Sequence, residues 1–179
     1  MRNFSPFPIL DTPRLHLREI ASSDAPVVFY LRSDEEITRF IERPEDRKTK
    51  SLEDAREFIQ FLDGALQKGE SITWALCEKG SKTMIGSICL WNFSNDGTVA
   101  EMGYDLSSAH QGKGYMNEAV QTVLEYGFNA LKLHSIEAFT DYRNVPSVRL
   151  LERNGFTLQE DRSDTDNLNN RIFVRIKGE

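Results

Sequence analysis

The sequence predicts a mixed α+β fold in which helices flank a sheet, and three stretches carry that expectation. Residues Arg14 to Ile20 alternate in polarity as a half-buried strand does, residues 51–69 repeat apolar side chains at helical spacing, and residues 72–92 form two apolar runs around a turn. The order is strand, helices, then strands.

Taken in order, Leu15 and Leu17 share one face of the first strand, with His16 and Arg18 on the other. Ser22, Ser23 and Asp24 offer a helix cap before Val27, Val28 and Leu31, and a second short helix is expected near residues 34–41. Ser51 with Asp54 makes a capping box. Leu52, Ala55, Phe58, Ile59, Leu62 and Leu66 then recur on one helical face until Gly69 closes the segment. Residues 72–79 and 84–92 read as a hairpin joined through Glu78-Lys79-Gly80-Ser81-Lys82, and residues 98–106 as a further strand. A helix from about 114 to 131 carries Ala119, Val120, Val123, Leu124, Gly127 and Leu131 on one face, and His134–Thr140 is the next strand. Pro146 suits the first turn of a short helix that faces the core through Val148 and Leu151 and ends at Gly155. Residues 155–160 and 171–176 close the chain as strands around the polar loop SDTDNLNN.

Composition bounds the function. A chain of 179 residues with 39% hydrophobic content is expected to form one globular domain, residues 1–179. A net charge of −6 with scattered acidic residues argues against nucleic-acid binding and weakly favours a cationic amine as partner. Cys77 and Cys89 lie in apolar runs without metal spacing, so buried, reduced thiols in a cytoplasmic protein are expected, and His16, His110 and His134 are too scattered for a zinc site. Neither a signal peptide nor a membrane span is visible, so no membrane association is expected. As oligomer, a monomer or a homodimer is expected.

The most informative stretch is residues 99–119, VAEMGYDLSSAHQGKGYMNEA, where a strand breaks into a glycine-rich turn that feeds a helix. Gly112 and Gly114 flank Lys113 and let successive amides converge on one anion, at the end of a helix whose dipole is positive. Two glycines also suit an ordinary strand-to-helix turn with a solvated lysine. A Walker loop is excluded because Gly114 follows Lys113 and Ser108 stands five residues before it. A dinucleotide fingerprint is excluded because Asn117 stands where its third glycine belongs.

A third pattern, Gln/Arg-x-x-Gly-x-Gly/Ala, is met at Gln111 and Gly114 and departed from at Met116. Here the chain resembles the GNAT superfamily of acetyl-CoA-dependent N-acetyltransferases, and EMGYDL with HQGKGYMNEAV resembles its ribosomal-protein N-terminal branch, as does the first strand TPRLHLRE. The resemblance runs from about residue 11 to 176. It implies a mostly antiparallel sheet of six or seven strands, splayed between the fourth and fifth. It also implies that backbone groups of Gln111, Gly112, Lys113, Gly114, Tyr115, Met116 and Asn117 hold the pyrophosphate of coenzyme A. Met102, Gly103 and Tyr104 would pair with the pantetheine arm, and Gly103 would ease that close approach. Met116 disturbs little, because the pocket is made of backbone.

Glu101 stands in an otherwise mostly apolar strand, so its carboxylate must pair, meet solvent in a cleft or rise in pKa. A half-exposed glutamate pairing across the sheet explains it as well as a functional one. The resemblance favours a general base on this strand, acting directly or through water. Glu118, in the first turn of its helix, is expected to be structural.

The second stretch, Asn144-Val-Pro-Ser147, reads by itself as a helix cap and first turn. Followed by Gly155-Phe156, it resembles the superfamily's pantetheine-binding segment, in which Asn144 would bond the amide-rich arm and Ser147 would sit near the thioester. Many members carry a tyrosine where this chain has Leu151, and leucine cannot reprotonate a thiolate. Ser147 is therefore the candidate acid, with water as competitor, since a thiol of pKa about 8.5 leaves without full protonation.

Because acetyl-CoA arrives activated, the enzyme need only align an amine, take its proton and stabilise an oxyanion, the last through backbone near Met102. Deprotonating an α-amine of pKa about 7.7–8.0 at pH 7 costs ~1 kcal/mol, against ~4.6 kcal/mol for a lysine of about 10.4. Three functions follow: acetylation of a protein or peptide N-terminus, acetylation of a small amine such as a polyamine, amino acid or aminoglycoside, and a non-catalytic CoA sensor. Glu101 and Ser147 together speak against the sensor. Specificity is expected in residues 29–50 and the loop 161–170.

Overall fold

In the computed structural model, which describes residues 2–41 and 43–178, eight strands form one sheet in the order β1-β2-β3-β4-β5-β6-β8-β7. They are β1 (Leu10–Asp11), β2 (Leu15–Glu19), β3 (Ile72–Glu78), β4 (Met84–Trp91), β5 (Val99–Leu106), β6 (Ser135–Asp141), β7 (Thr157–Leu158) and β8 (Asn170–Ile176). The helices are α1 (Ala25–Ser33), α2 (Glu35–Thr38), α3 (Leu52–Gln67), α4 (Tyr115–Asn129) and α5 (Val145–Arg153). The sheet exceeds the expected six or seven strands because two-residue β1 is not legible in the sequence; a pair that short has no periodicity to read.

Every neighbouring pair is antiparallel except β5 and β6. Those two run parallel and pair only from Val99–Ser135 to Glu101–Glu137, so β5 beyond Glu101 has lost its β6 partner while remaining paired to β4 through Leu106. This is the expected splay: β5 and β6 are the fourth and fifth strands when β2 is counted first.

Alternation sorts the residues as the sequence indicated. Leu15 and Leu17 are fully buried in a core that also holds Trp74, Ile88, Met102, Val120, Ile136 and Leu151. A second cluster under α1 and α3 contains Val28, Leu31, Ala55 and Ile59. The Ser51–Asp54 capping box forms, with Ser51 Oγ accepting from the Asp54 amide at 3.1 Å and Asp54 accepting from the Ser51 amide at 3.0 Å. Residues 22–24 depart from expectation. They make a 3-10 turn, and Asp24 takes a bidentate pair from Arg18 at 2.7 and 2.9 Å instead of capping α1 with its side chain. Helix α4 stops at Asn129, so Leu131 packs from the turn beyond it. Cys77 is buried, but Cys89 is only partly covered, on the face of β4 that lies opposite Gly103. No helix among the described residues is long and apolar enough to cross a membrane.

Candidate active site

The glycine turn is built as a cradle. Ser108–His110 form a single 3-10 turn, and Gln111 Nε2 donates to the Leu106 carbonyl at 2.9 Å, tying the loop back to the end of β5. Gly112 and Gly114 take φ of +73° and +83°, conformations that a side chain would strain, and Gly114 is the N-cap of α4 without any side-chain cap. The first hydrogen bond into the helix runs from Glu118 to the Gly114 carbonyl. Among the described residues, the amides of Gly112, Lys113, Gly114, Tyr115, Met116 and Asn117 donate to no protein acceptor. Such a run of unpaired donors at a helix start fits a diphosphate. The side chains are otherwise engaged: Met116 is buried in the core, and Asn117 Oδ1 accepts from Asn154 Nδ2 at 3.0 Å.

The sequence marks Arg14 only as a residue of the first strand, a hundred residues away from the loop, and gives it no part in the site. Its Nη2 lies 3.1 Å from where a Cβ on Gly114 would stand, and its guanidinium lies 4.6 Å over the Tyr115 ring. Arg14 Nε and Thr12 Oγ1 both donate to the Glu118 carboxylate, which is held below the usual carboxylate range by these bonds. Glu118 is structural, as expected, and its charge is answered beside the amides. The Tyr115 hydroxyl donates to Glu78.

Glu101 is the last residue of β5 paired to β6, so it stands at the apex of the splay. It is half-buried, and burial pushes its carboxyl up to about 7; Asp164 and Glu137 add to the rise, while the Asn92 amide, donating at 3.3 Å, opposes it. Glu137 itself is paired bidentately with Arg162 at 2.7 and 2.9 Å. The loop 161–170 therefore reaches this apex.

On the opposite face of β5, three hydroxyls form a chain. Ser147, buried at the start of α5, has Oγ 2.9 Å from Thr140 Oγ1 and 2.8 Å from the Tyr104 hydroxyl. These bonds bridge β6 and β5 across the gap. Burial pushes the Tyr104 phenol up to about 12. Asn144 caps α5, its Oδ1 accepting from the Ser147 amide at 3.3 Å; this is the local reading of the motif, and it leaves Nδ2 without a partner among the described residues. Glu101 and Ser147 make no contact with each other; they stand on opposite sides of the strand. The hydroxyl of Tyr104 carries no signal in the sequence, because only the fold brings it to Ser147.

A cradle of unpaired amides leading into a splayed sheet, with a raised carboxyl at the apex, describes an acyl-CoA-dependent acetyltransferase. Residues 14–157 match the family described as an acetyltransferase (GNAT) domain. The chain is 36% identical over 152 residues to the Uncharacterized N-acetyltransferase YoaA of Bacillus subtilis (strain 168), covering 84% of this chain and 83% of that one. Its fold is similar to that of a putative ribosomal-protein-serine acetyltransferase from Vibrio cholerae, with a TM-score of 0.80, 25% identity and 96% and 98% of the two chains covered. It is equally similar, at a TM-score of 0.80 and 19% identity over 94% and 98% of the chains, to the ribosomal L7/L12 α-N-protein acetyltransferase RimL, whose structure holds coenzyme A. The chain belongs to the GNAT family. It is an acetyl-CoA-dependent N-acetyltransferase.

Proposed function

We propose that this enzyme acetylates the N-terminal α-amine of a protein or peptide by direct attack in a ternary complex. The observation that carries the reading is Glu101, raised to about 7 at the apex of the splay. A base titrating near 7 is matched to an α-amine of pKa about 7.7–8.0, and poorly matched to a lysine at about 10.4. The similarity to a putative ribosomal-protein-serine acetyltransferase supports the same class of acceptor.

The amides of Gly112 to Asn117 would hold the pyrophosphate, with the free edge of the Arg14 guanidinium beside them. The unpaired edge of β5 at Met102, Gly103 and Tyr104 would take the pantetheine arm, and Asn144 Nδ2 would meet its amides. Acetyl-CoA supplies an activated acetyl group whose thiol leaves with a pKa of about 8.5. Glu101 takes the proton of the amine from one face of β5, directly or through one water. Backbone near Met102 polarises the carbonyl. On the other face the Tyr104–Ser147 pair supplies a proton to the sulfur. Between them, the phenol is the better acid, and Ser147 with Thr140 holds it in place.

A mass-spectrometric screen with acetyl-CoA over peptides, polyamines, amino acids and aminoglycosides tests the reading. Acetylation at peptide α-amines is expected. Turnover confined to small amines would refute it and leave the small-amine acetyltransferase in its place.

A further inference from the structure

The Glu101 face of β5 holds a second charged cluster that the scheme above leaves unused. Glu101, Gly103 and Asp105 alternate onto one side of the strand, beside Trp91, Cys89 and Ser87 of β4. Asp105 is engaged at one oxygen: its Oδ1 accepts from the Ser87 amide at 2.9 Å and from the Ser87 hydroxyl at 2.7 Å, while Oδ2 has no donor among the described residues.

Two guanidiniums lie within electrostatic range of this carboxylate and of each other, Arg32 near the end of α1 and Arg43 between α2 and α3. Arg32 is fixed. Its Nε donates to Thr49 Oγ1 at 2.8 Å, its Nη2 donates to the Arg47 carbonyl at 3.1 Å, and it lies 3.6 Å over the Phe58 ring. Arg43 is half-buried and makes no hydrogen bond or ion pair with any described residue.

Among the described residues, two cations within electrostatic range of one carboxylate leave a positive charge uncompensated in a partly desolvated place, and a pairing anion stabilises such a charge. The other end of the same face carries Glu101 with Asp164 in electrostatic range, beside Glu137, whose charge Arg162 answers. The face is therefore bipolar, which suits an acceptor that carries an amine at one end and a carboxylate further on. A polyamine offers nothing to the arginine end.

We propose that Arg43 and Arg32 form a carboxylate subsite for the acceptor, selecting peptides with an acidic side chain at the third or fourth residue while the N-terminal amine lies at Glu101. This rests on the N-terminal reading above. The span agrees: four residue steps of strand lead from Glu101 to Asp105, about 13 Å, and an extended peptide advances about 3.4 Å per residue before its side chain adds further reach.

The test uses the full chain, acetyl-CoA and matched peptides that differ only by Asp or Asn at the third or fourth residue. Wild type is expected to prefer the Asp peptide in kcat/KM by about tenfold or more, the size of one charge-assisted pairing. Arg43→Gln should bring that ratio close to one, Arg43→Lys should keep most of it, and Arg43→Glu should invert it in favour of a Lys peptide. Thermal melts of the variants check that each is folded, and the ratio within one variant is independent of how much enzyme is active. Equal use of Asp and Asn peptides by wild type, or an unchanged ratio in Arg43→Gln, overturns the subsite and leaves N-terminal acetylation standing. If no peptide is acetylated while spermidine is, the N-terminal reading fails, and the subsite with it.

Discussion

The two faces of β5 are built on different principles. On one, Tyr104, Ser147 and Thr140 are joined in a chain of hydroxyls through Ser147, and the neighbouring Met102 and Leu106 sink into the main core. On the other, Glu101 and Asp105 are desolvated and incompletely paired, above a floor kept low by Gly103, where a Cβ would meet Cys89 Sγ at 3.2 Å. A satisfied polar network holds a fixed geometry, whereas uncompensated charge is held at a cost in stability and is free to act on an incoming group. On the mechanism proposed here, the carboxylate face takes the proton of the amine, while the hydroxyl face holds a phenol ready to protonate the leaving thiolate.

Breaking the reactive face has the largest expected effect. Glu101→Gln should lower kcat/KM by roughly 10²–10⁴-fold, the range for a positioned general base. Wild-type kcat/KM should rise as pH passes about 7, where Glu101 loses its proton, and the variant should lose that limb and keep the one set by the acceptor amine at about 7.7–8.0. An unchanged profile from pH 6 to 9 would sink the base assignment.

The hydroxyl face sharpens the contrast at smaller magnitude. Tyr104→Phe should reduce kcat by about tenfold with little change in the KM for acetyl-CoA, because general-acid help to a thiol that already leaves well is modest. Ser147→Ala should show part of that loss, through a phenol held less firmly. If Ser147→Ala were the more damaging of the two, serine rather than tyrosine would be the proton donor.

At the cradle, Arg14→Ala should weaken coenzyme A binding by about tenfold in calorimetry, since Glu118 would then face the phosphates with its partner gone. Affinity equal to wild type would remove Arg14 from the site. The smallest effect is on stability. Glu101 is raised from 4.5 to about 7, so its protonated form is the one the fold favours. That contribution is complete below about 4.5 and is lost as pH rises through about 7. Glu101→Gln should therefore melt higher than wild type at pH 8 and equally at pH 4, and equal melting at both would show that burial does not strain the carboxyl.

What is legible in the chain is whatever repeats locally. The capping box at Ser51, the α4 face from Ala119 to Gly127 and the alternation of Leu15 and Leu17 each follow from side-chain periodicity within one element. The glycine turn is legible because glycine is the residue that takes positive φ without strain, and Gly112 and Gly114 both do so. Asp24 departs from its expected capping role because the arginine that claims it, Arg18, acts across a turn rather than within the helix. Cys89 is less covered than its apolar run suggests, because it shares a face of β4 with Ser87 and exposed Trp91, while Ile88 and Leu90 on the other face fill the core.

The sequence alone determined the elements, the glycine-rich turn and the presence of an anomalous glutamate in a strand, since these depend on contacts a few residues apart. Tertiary structure decided what those parts meet: Arg14 against Gly114, Tyr104 against Ser147, and Arg43 and Arg32 near Asp105. Electrostatic and hydrogen-bond energies fall with distance in space, and chain order does not encode which side chains the splay of β5 from β6 brings within reach.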